Sequence, residues 1–244
     1  MNTVSSDKTR IRALDVLRGL TALSMVAFHT AYDLAYIFEL PVPWFTSRPV
    51  QDIWRNSISW TFLFLAGWMC AYSRNNVKRA IRYGAFAILI WFATTLAAVD
   101  TPINFGIIYC MSVSTLIAAL LRHVNKGKLN SKSCLIAAAA CLVLFFATYG
   151  LFKQTYATEY LAWLGFPSSS FASGDYYPLI PFSFMYLCGA FAHGYWIKAH
   201  QDQYPTILKT ITSKPIEWIG RHSLLIYALH QPLTLLILQI VISQ

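Results

Sequence analysis

The residues of this chain best suited to chemistry are His29 and Asp33. Both lie inside the apolar run LDVLRGLTALSMVAFHTAYDLAYIF, residues 14–38. An imidazole and a carboxylate four residues apart share one helix face and are within hydrogen-bonding reach. The run is long enough to cross about 30 Å of hydrocarbon, where ionisable groups are costly and mark a pathway or a reactive site. Asp33 can hold one ring nitrogen of His29 and fix its tautomer, which leaves the other free as a base or a nucleophile. The competing use is a hydrogen bond that only packs two membrane helices together. Arg18, Ala22 and Met25 continue the His29 face at 3–4 spacing, so that face points into a bundle and away from lipid.

Three more groups have suitable types and spacing. Arg79 and Arg82 share a face at i and i+3 and can grip phosphates bidentately, or simply anchor the cytoplasmic end of a helix. His230 lies in IGRHSLLIYALHQPLT, nine residues past Arg221, so about 13 Å deeper at helical rise. Pro232 beside it removes a backbone donor. Asn104 in PINFGIIYC and Asp175 in SGDYYPLIP stand where helices begin, either as N-caps or as the lining of an acceptor site.

The elements that must position these residues follow from composition. The chain is 57% hydrophobic and 12% charged, which places it in the membrane class. Apolar segments fall at 14–38, 53–72, 80–99, 103–121, 134–152, 178–197 and 221–242. The reading is all-α: a polytopic integral membrane bundle of about seven transmembrane helices. Residues 1–9 read as a disordered cytoplasmic tail and 10–244 as a single transmembrane domain. Sixteen of the 19 lysines and arginines, Lys8, Arg10 and Lys126 among them, fall on one side of this alternation. Only Arg48, Arg55 and Lys153 fall on the other. Positive-inside bias then puts the N-terminus in the cytoplasm and the C-terminus on the exoplasmic side. Basic charge that reports topology gives nucleic acid no claim as a partner.

The connections carry their own expectations. Residues 39–52, with three prolines, read as an ordered non-helical loop. TYATEYLAWLGF, residues 155–166, reads as an interfacial helix with aromatic rings at headgroup level. The stretch 198–220 is amphipathic in part. The five cysteines lie within or at the ends of helices, which argues against a disulfide framework. No Cys/His cluster has zinc spacing, so no metal is expected. The first segment is too long for a signal-peptide core and stays in the mature protein. No internal repeat supports an inverted-repeat transporter.

With these residues assembled, a resemblance becomes visible. RALDVLRGLTALSMVAFH resembles the first-helix signature of integral-membrane acyltransferases, in which an LDxLRGxA-type stretch leads to a histidine. INFGIIYCMSVSTL, GDYYPLIPF and IGRHSLLIYALHQPL are together similar to the bacterial heparan-α-glucosaminide N-acetyltransferase catalytic-domain family. The matching stretches keep their order from residue 12 to residue 235. The helix-seven run and the R-x-x-R element also resemble the broader acyltransferase-three family.

The resemblance implies an enzyme that moves an acyl group, usually acetyl, from cytoplasmic acyl-CoA to an acceptor across the membrane. His29 takes the place of the first-helix catalytic histidine, as base or transient acyl carrier; Asp33 is its orienter by helix geometry alone, not by the resemblance. Arg79 and Arg82 match the cofactor-associated element, and Arg18 and His230 are assigned to the acetyl-CoA side with them. The implied acceptor is a carbohydrate or glycolipid of a bacterial envelope; Asn104 and Asp175 are put on its side by their position at exoplasmic helix starts, not by the resemblance. The implied location is the bacterial cytoplasmic (inner) membrane, and a small bundle with a polar interior is compatible with a homodimer. Two departures matter. Seven helices stand where many relatives have ten or more, and the lysosomal branch has asparagine where His29 stands, so amino-sugar specificity does not carry over. The competing functions are a proton-coupled transporter or flippase, using His29, Asp33 and His230, and a non-enzymatic membrane subunit. A retinal protein fails because helix seven has no lysine.

Overall fold

The structure, a computed structural model, describes residues 11–125, 128–201 and 203–243. The tail 1–9 with Lys8, together with Arg10 and Lys126, lies outside the described residues. Nine α-helices are present among the described residues: α1 Arg12–Tyr32, α2 Arg48–Met69, α3 Asn76–Ala97, α4 Ile107–Asn125, α5 Ser131–Thr148, α6 Leu179–His200, α7 Thr206–Thr210, α8 Lys214–Arg221 and α9 Ser223–Ile242. No strand occurs among them; Tyr156 and Ser168 form one isolated bridge.

Each of the seven apolar segments coincides with a long helix. Four are long and apolar enough to cross a membrane: α3, α4, α5 with its continuation to Lys153, and α9. The remaining three, α1, α2 and α6, match in length but are more polar. They carry Asp15, Arg18 and His29, then Asp52 and Arg55, then His193 and Lys198.

Three local readings are corrected. Helix α2 begins at Arg48, inside the stretch expected to be non-helical; Pro49 sits in its first turn, where a missing N–H costs nothing. Residues 155–166 form turns rather than an interfacial helix. Their backbone is spent on tertiary partners: Tyr156 N–H donates to Pro167 O at 2.8 Å, and Leu164 O accepts from Ile180 N–H at 2.8 Å. The closing segment is broken at His222, which leaves the helical region at φ −102° and ψ 16° and separates α8 from α9.

The chain divides into two compact units, one holding residues up to Ile58 and from Tyr204 onward, the other holding Ser59–Gln203. In the first unit α1 packs against α7, α8 and α9. Gly19 and Gly220 make the α1–α8 crossing possible. A Cβ on Gly19 would collide with Ile216 O, and one on Gly220 with Asp15 O. Close backbone approach through small residues is the usual way apolar helices associate in lipid. Phe28, Phe45 and Trp54 meet edge to face with centroids 5.3–6.2 Å apart. Trp54 Nε1 donates to Ser24 Oγ at 2.8 Å. Gly220→Val is therefore expected to cost about 1–3 kcal/mol by forcing α8 off α1, read as a lower melting temperature in detergent.

In the second unit α3 pairs with α4, and α6 packs on both α4 and α5. The polar contacts there join helices through an apolar interior. Ser112 Oγ donates to Ala80 O at 2.8 Å, and the Thr115 and Tyr186 hydroxyls lie 2.8 Å apart, all buried. Asn75 and Asn130 accept from the backbone N–H groups of Lys78 and Ser133 and so cap α3 and α5.

Candidate active site

Helix α1 changes pitch where it reaches the acidic residue singled out by the sequence. From Asp33 to Ile37 the chain is π-helical, and the Asp33 N–H meets both His29 O and Thr30 O. A π-turn widens the helix by one residue and re-aims the side chains that follow, often at a functional site. Ala22, Met25 and Asp33 are buried and His29 is half-buried, so the face defined by 3–4 spacing is the inward one.

That face meets α9. Asp33 Oδ1 accepts from Gln231 Nε2 at 2.7 Å. The His29 and His230 rings stand 4.8 Å apart, inclined at 64°. Consecutive residues on α9 thus meet residues four apart on α1. The Phe28 and His29 rings meet edge to face, their centroids 5.7 Å apart. His230 Nδ1 lies 2.8 Å from Tyr227 O. A carbonyl oxygen only accepts, so Nδ1 carries the proton and the neutral ring keeps its lone pair on Nε2.

The other cationic and polar candidates from the sequence lie elsewhere. Arg18 Nε donates to Gly220 O at 2.5 Å and its Nη2 pairs with Asp15 at 2.9 Å, which binds α1 to α8. Arg79 turns inward, with Nε donating to Tyr83 Oη at 3.1 Å and Nη2 to Ala66 O at 3.4 Å. Arg82, one turn on, is exposed. Asn104 and Asp175 are brought together across 71 residues of chain. Asn104 Nδ2 donates to Ala172 O at 3.0 Å, and Asp175 Oδ2 accepts from Ile107 N–H at 3.2 Å as a cap on α4. Beside them a cavity of about 380 Å³ is lined by Lys153, Gln154, Ser168, Phe171, Ser173 and Tyr176, among others. Tyr176 Oη donates to Ala162 O at 2.6 Å, and burial pushes its phenol pKa up, so it stays a donor.

Gln231 is a site residue that sequence reasoning misses. Its signal is a glutamine beside a histidine and a proline in an otherwise apolar span, where polar side chains tend to face other helices. The π-turn leaves no comparable signal. Among the described residues, no group of three or more His, Cys, Asp or Glu is arranged to hold a metal ion.

No curated protein and no solved structure matches the chain. One family does, that described as heparan-alpha-glucosaminide N-acetyltransferase, catalytic, over residues 10–232. The match takes in both helices of the imidazole pair as far as Pro232 and covers most of the 244 residues. This integral membrane protein belongs to the heparan-alpha-glucosaminide N-acetyltransferase catalytic family, whose activity is acetyl transfer.

Proposed function

We propose that the protein is a membrane acetyltransferase that takes its acetyl group from cytoplasmic acetyl-CoA. The acceptor is a sugar hydroxyl or amine of an envelope glycan or glycolipid on the opposite side of a bacterial cytoplasmic membrane. The family match over residues 10–232 carries this reading. It is supported by a polar cluster in which Asp33 and His230 are buried and His29 and Gln231 half-buried, held where α1 meets α9. In this reading all seven long helices span the bilayer, with the N-terminus cytoplasmic and the C-terminus exoplasmic, as the cation distribution favours.

His29 serves the acyl group, either as base or as transient acyl carrier, at a site shielded from bulk water. Exclusion of water strengthens every electrostatic contact there and limits loss of the activated acetyl group to hydrolysis. Arg82 supplies a cation for the phosphates of coenzyme A, while Arg18 and Arg79 hold helices in place.

The test is transfer of labelled acetyl from acetyl-CoA into envelope material in membrane vesicles made from expressing cells. Label in a glycan or glycolipid fraction supports the reading. Uptake of a solute driven by a pH gradient, with no acetyl-CoA consumed, would replace it with a transporter. Arg82→Ala is expected to raise the KM for acetyl-CoA about tenfold, or about 1.4 kcal/mol of binding, with kcat little changed. The same assay run across acetyl-CoA concentrations checks it.

A further inference from the structure

Two buried acceptor atoms on α9 have no hydrogen-bond partner among the described residues. They are His230 Nε2 and Gln231 Oε1, on consecutive residues. His230 is 9% exposed. Its Nδ1 is occupied as a donor to Tyr227 O, so Nε2 is the nitrogen with the lone pair. Leaving a buried acceptor unsatisfied is costly, and a residue needed only for packing would serve better with an apolar side chain. The neighbouring ring is His29 at 4.8 Å, and the turn of α9 that carries both atoms is tied to α1 through Gln231 and Asp33 at 2.7 Å.

We propose that His230 Nε2 is the proton acceptor of the transfer step and that Gln231 Oε1 receives a hydrogen bond from the acceptor's remaining N–H or, for a hydroxyl nucleophile, from a neighbouring hydroxyl of the same acceptor. The assignment rests on the acetyltransferase reading above. As the acceptor oxygen or nitrogen attacks the acyl carbonyl, its proton passes to Nε2 and a new bond to the carbonyl carbon forms. The carbon–sulfur bond then breaks, and the departing thiolate takes the proton back from the imidazolium. His230 ends as it began, and no oxidant, reductant or metal is required. The carbonyl of Tyr227 keeps the ring in the tautomer that can accept, the service a carboxylate or carbonyl gives many catalytic imidazoles. In this direct transfer His29, the adjacent ring, is neither base nor acyl carrier and acts by positioning the acyl group beside Nε2.

Asparagine and glutamine separate the two nitrogens. Asparagine at 230 places an N–H where Nδ1 was and keeps the link to Tyr227 O; glutamine places an amide at the Nε2 position. Neither can take up a proton. In vesicles supplied with labelled acetyl-CoA, both His230→Asn and His230→Gln are expected to lose about a hundredfold or more in kcat. Their KM for acetyl-CoA should stay within about threefold and their melting temperatures near that of the unsubstituted protein. If His230→Asn keeps kcat within about tenfold, the histidine is structural and the proposal falls. It falls equally if the loss appears in KM, which would make His230 a contact for the cofactor. If neither variant folds, a nitrogen-15 spectrum of histidine-labelled unsubstituted protein decides: a bare Nε2 at position 230 supports the assignment and an Nε2–H overturns it. Should the unsubstituted protein itself transfer no acetyl, the function fails rather than this assignment of the base.

Discussion

His29→Ala is expected to reduce acetyl transfer by at least about a hundredfold, the ordinary contribution of a positioned acid–base or nucleophilic side chain. The protein should remain folded and inserted in the membrane. His29 is half-buried, and its ring meets Phe28 and His230 edge to face, so its removal breaks no hydrogen-bonded link between helices. Melting temperature in detergent and the yield of inserted protein provide the control. The decisive measurement is labelled acetyl from acetyl-CoA reaching the envelope fraction. Full transfer by the variant would remove His29 from the mechanism. A stable but inactive variant would agree with the proposed role.

Asp33→Ala is expected to have the larger effect on stability. Asp33 is fully buried, and Oδ1 is the acceptor for Gln231 Nε2 at 2.7 Å. Removing it strands the part-buried amide donor of Gln231, which costs about 1–3 kcal/mol. It also unties the turn of α9 that presents His230 to His29, so transfer should fall about 10–100-fold as the rings lose their register. Asp33→Asn supplies a neutral oxygen in the same place and should recover most of the stability. Pairing Asp33→Ala with Gln231→Ala in a double-mutant cycle should show coupling of about 0.5–3 kcal/mol. Additive effects would show that the two side chains do not act together.

Together these substitutions test a division of labour along α1. Near its start, Asp15, Arg18 and Gly19 serve the crossing with α8. Near its end, His29 and Asp33 meet α9. Arg18 shares the inward face with His29 by spacing, yet two of its donors are already engaged by Asp15 and Gly220. A cationic side chain so engaged has little left for a phosphate. Arg79 is in a similar position, held by Tyr83 and Ala66, whereas Arg82 at the next turn is exposed.

The sequence by itself determined which stretches are helices long enough for a membrane, because hydrophobic runs at that length have few other stable forms in lipid. It also marked the inward face of α1, since His29, Asp33, Met25 and Ala22 repeat at helical spacing and lipid would reject the polar members. The family follows from ordered runs of residues along one chain and needs no contact map. Spacing alone suggested Asp33 as the partner of His29, four residues back on the same helix, whereas the donor that meets its Oδ1 is Gln231 on α9. Tertiary structure supplied the neighbours that no such rule reaches. A π-turn begins at Asp33, and Gln231, 198 residues away in sequence, hydrogen-bonds its carboxylate. Tyr227 O fixes the His230 tautomer, and the break at His222 sets where α9 begins. The physical reason is one of range. Helix formation and membrane insertion depend on residues a few turns apart, which a linear pattern records. The company a buried imidazole keeps depends on which helix packs beside it and at what register, and only the assembled bundle decides that.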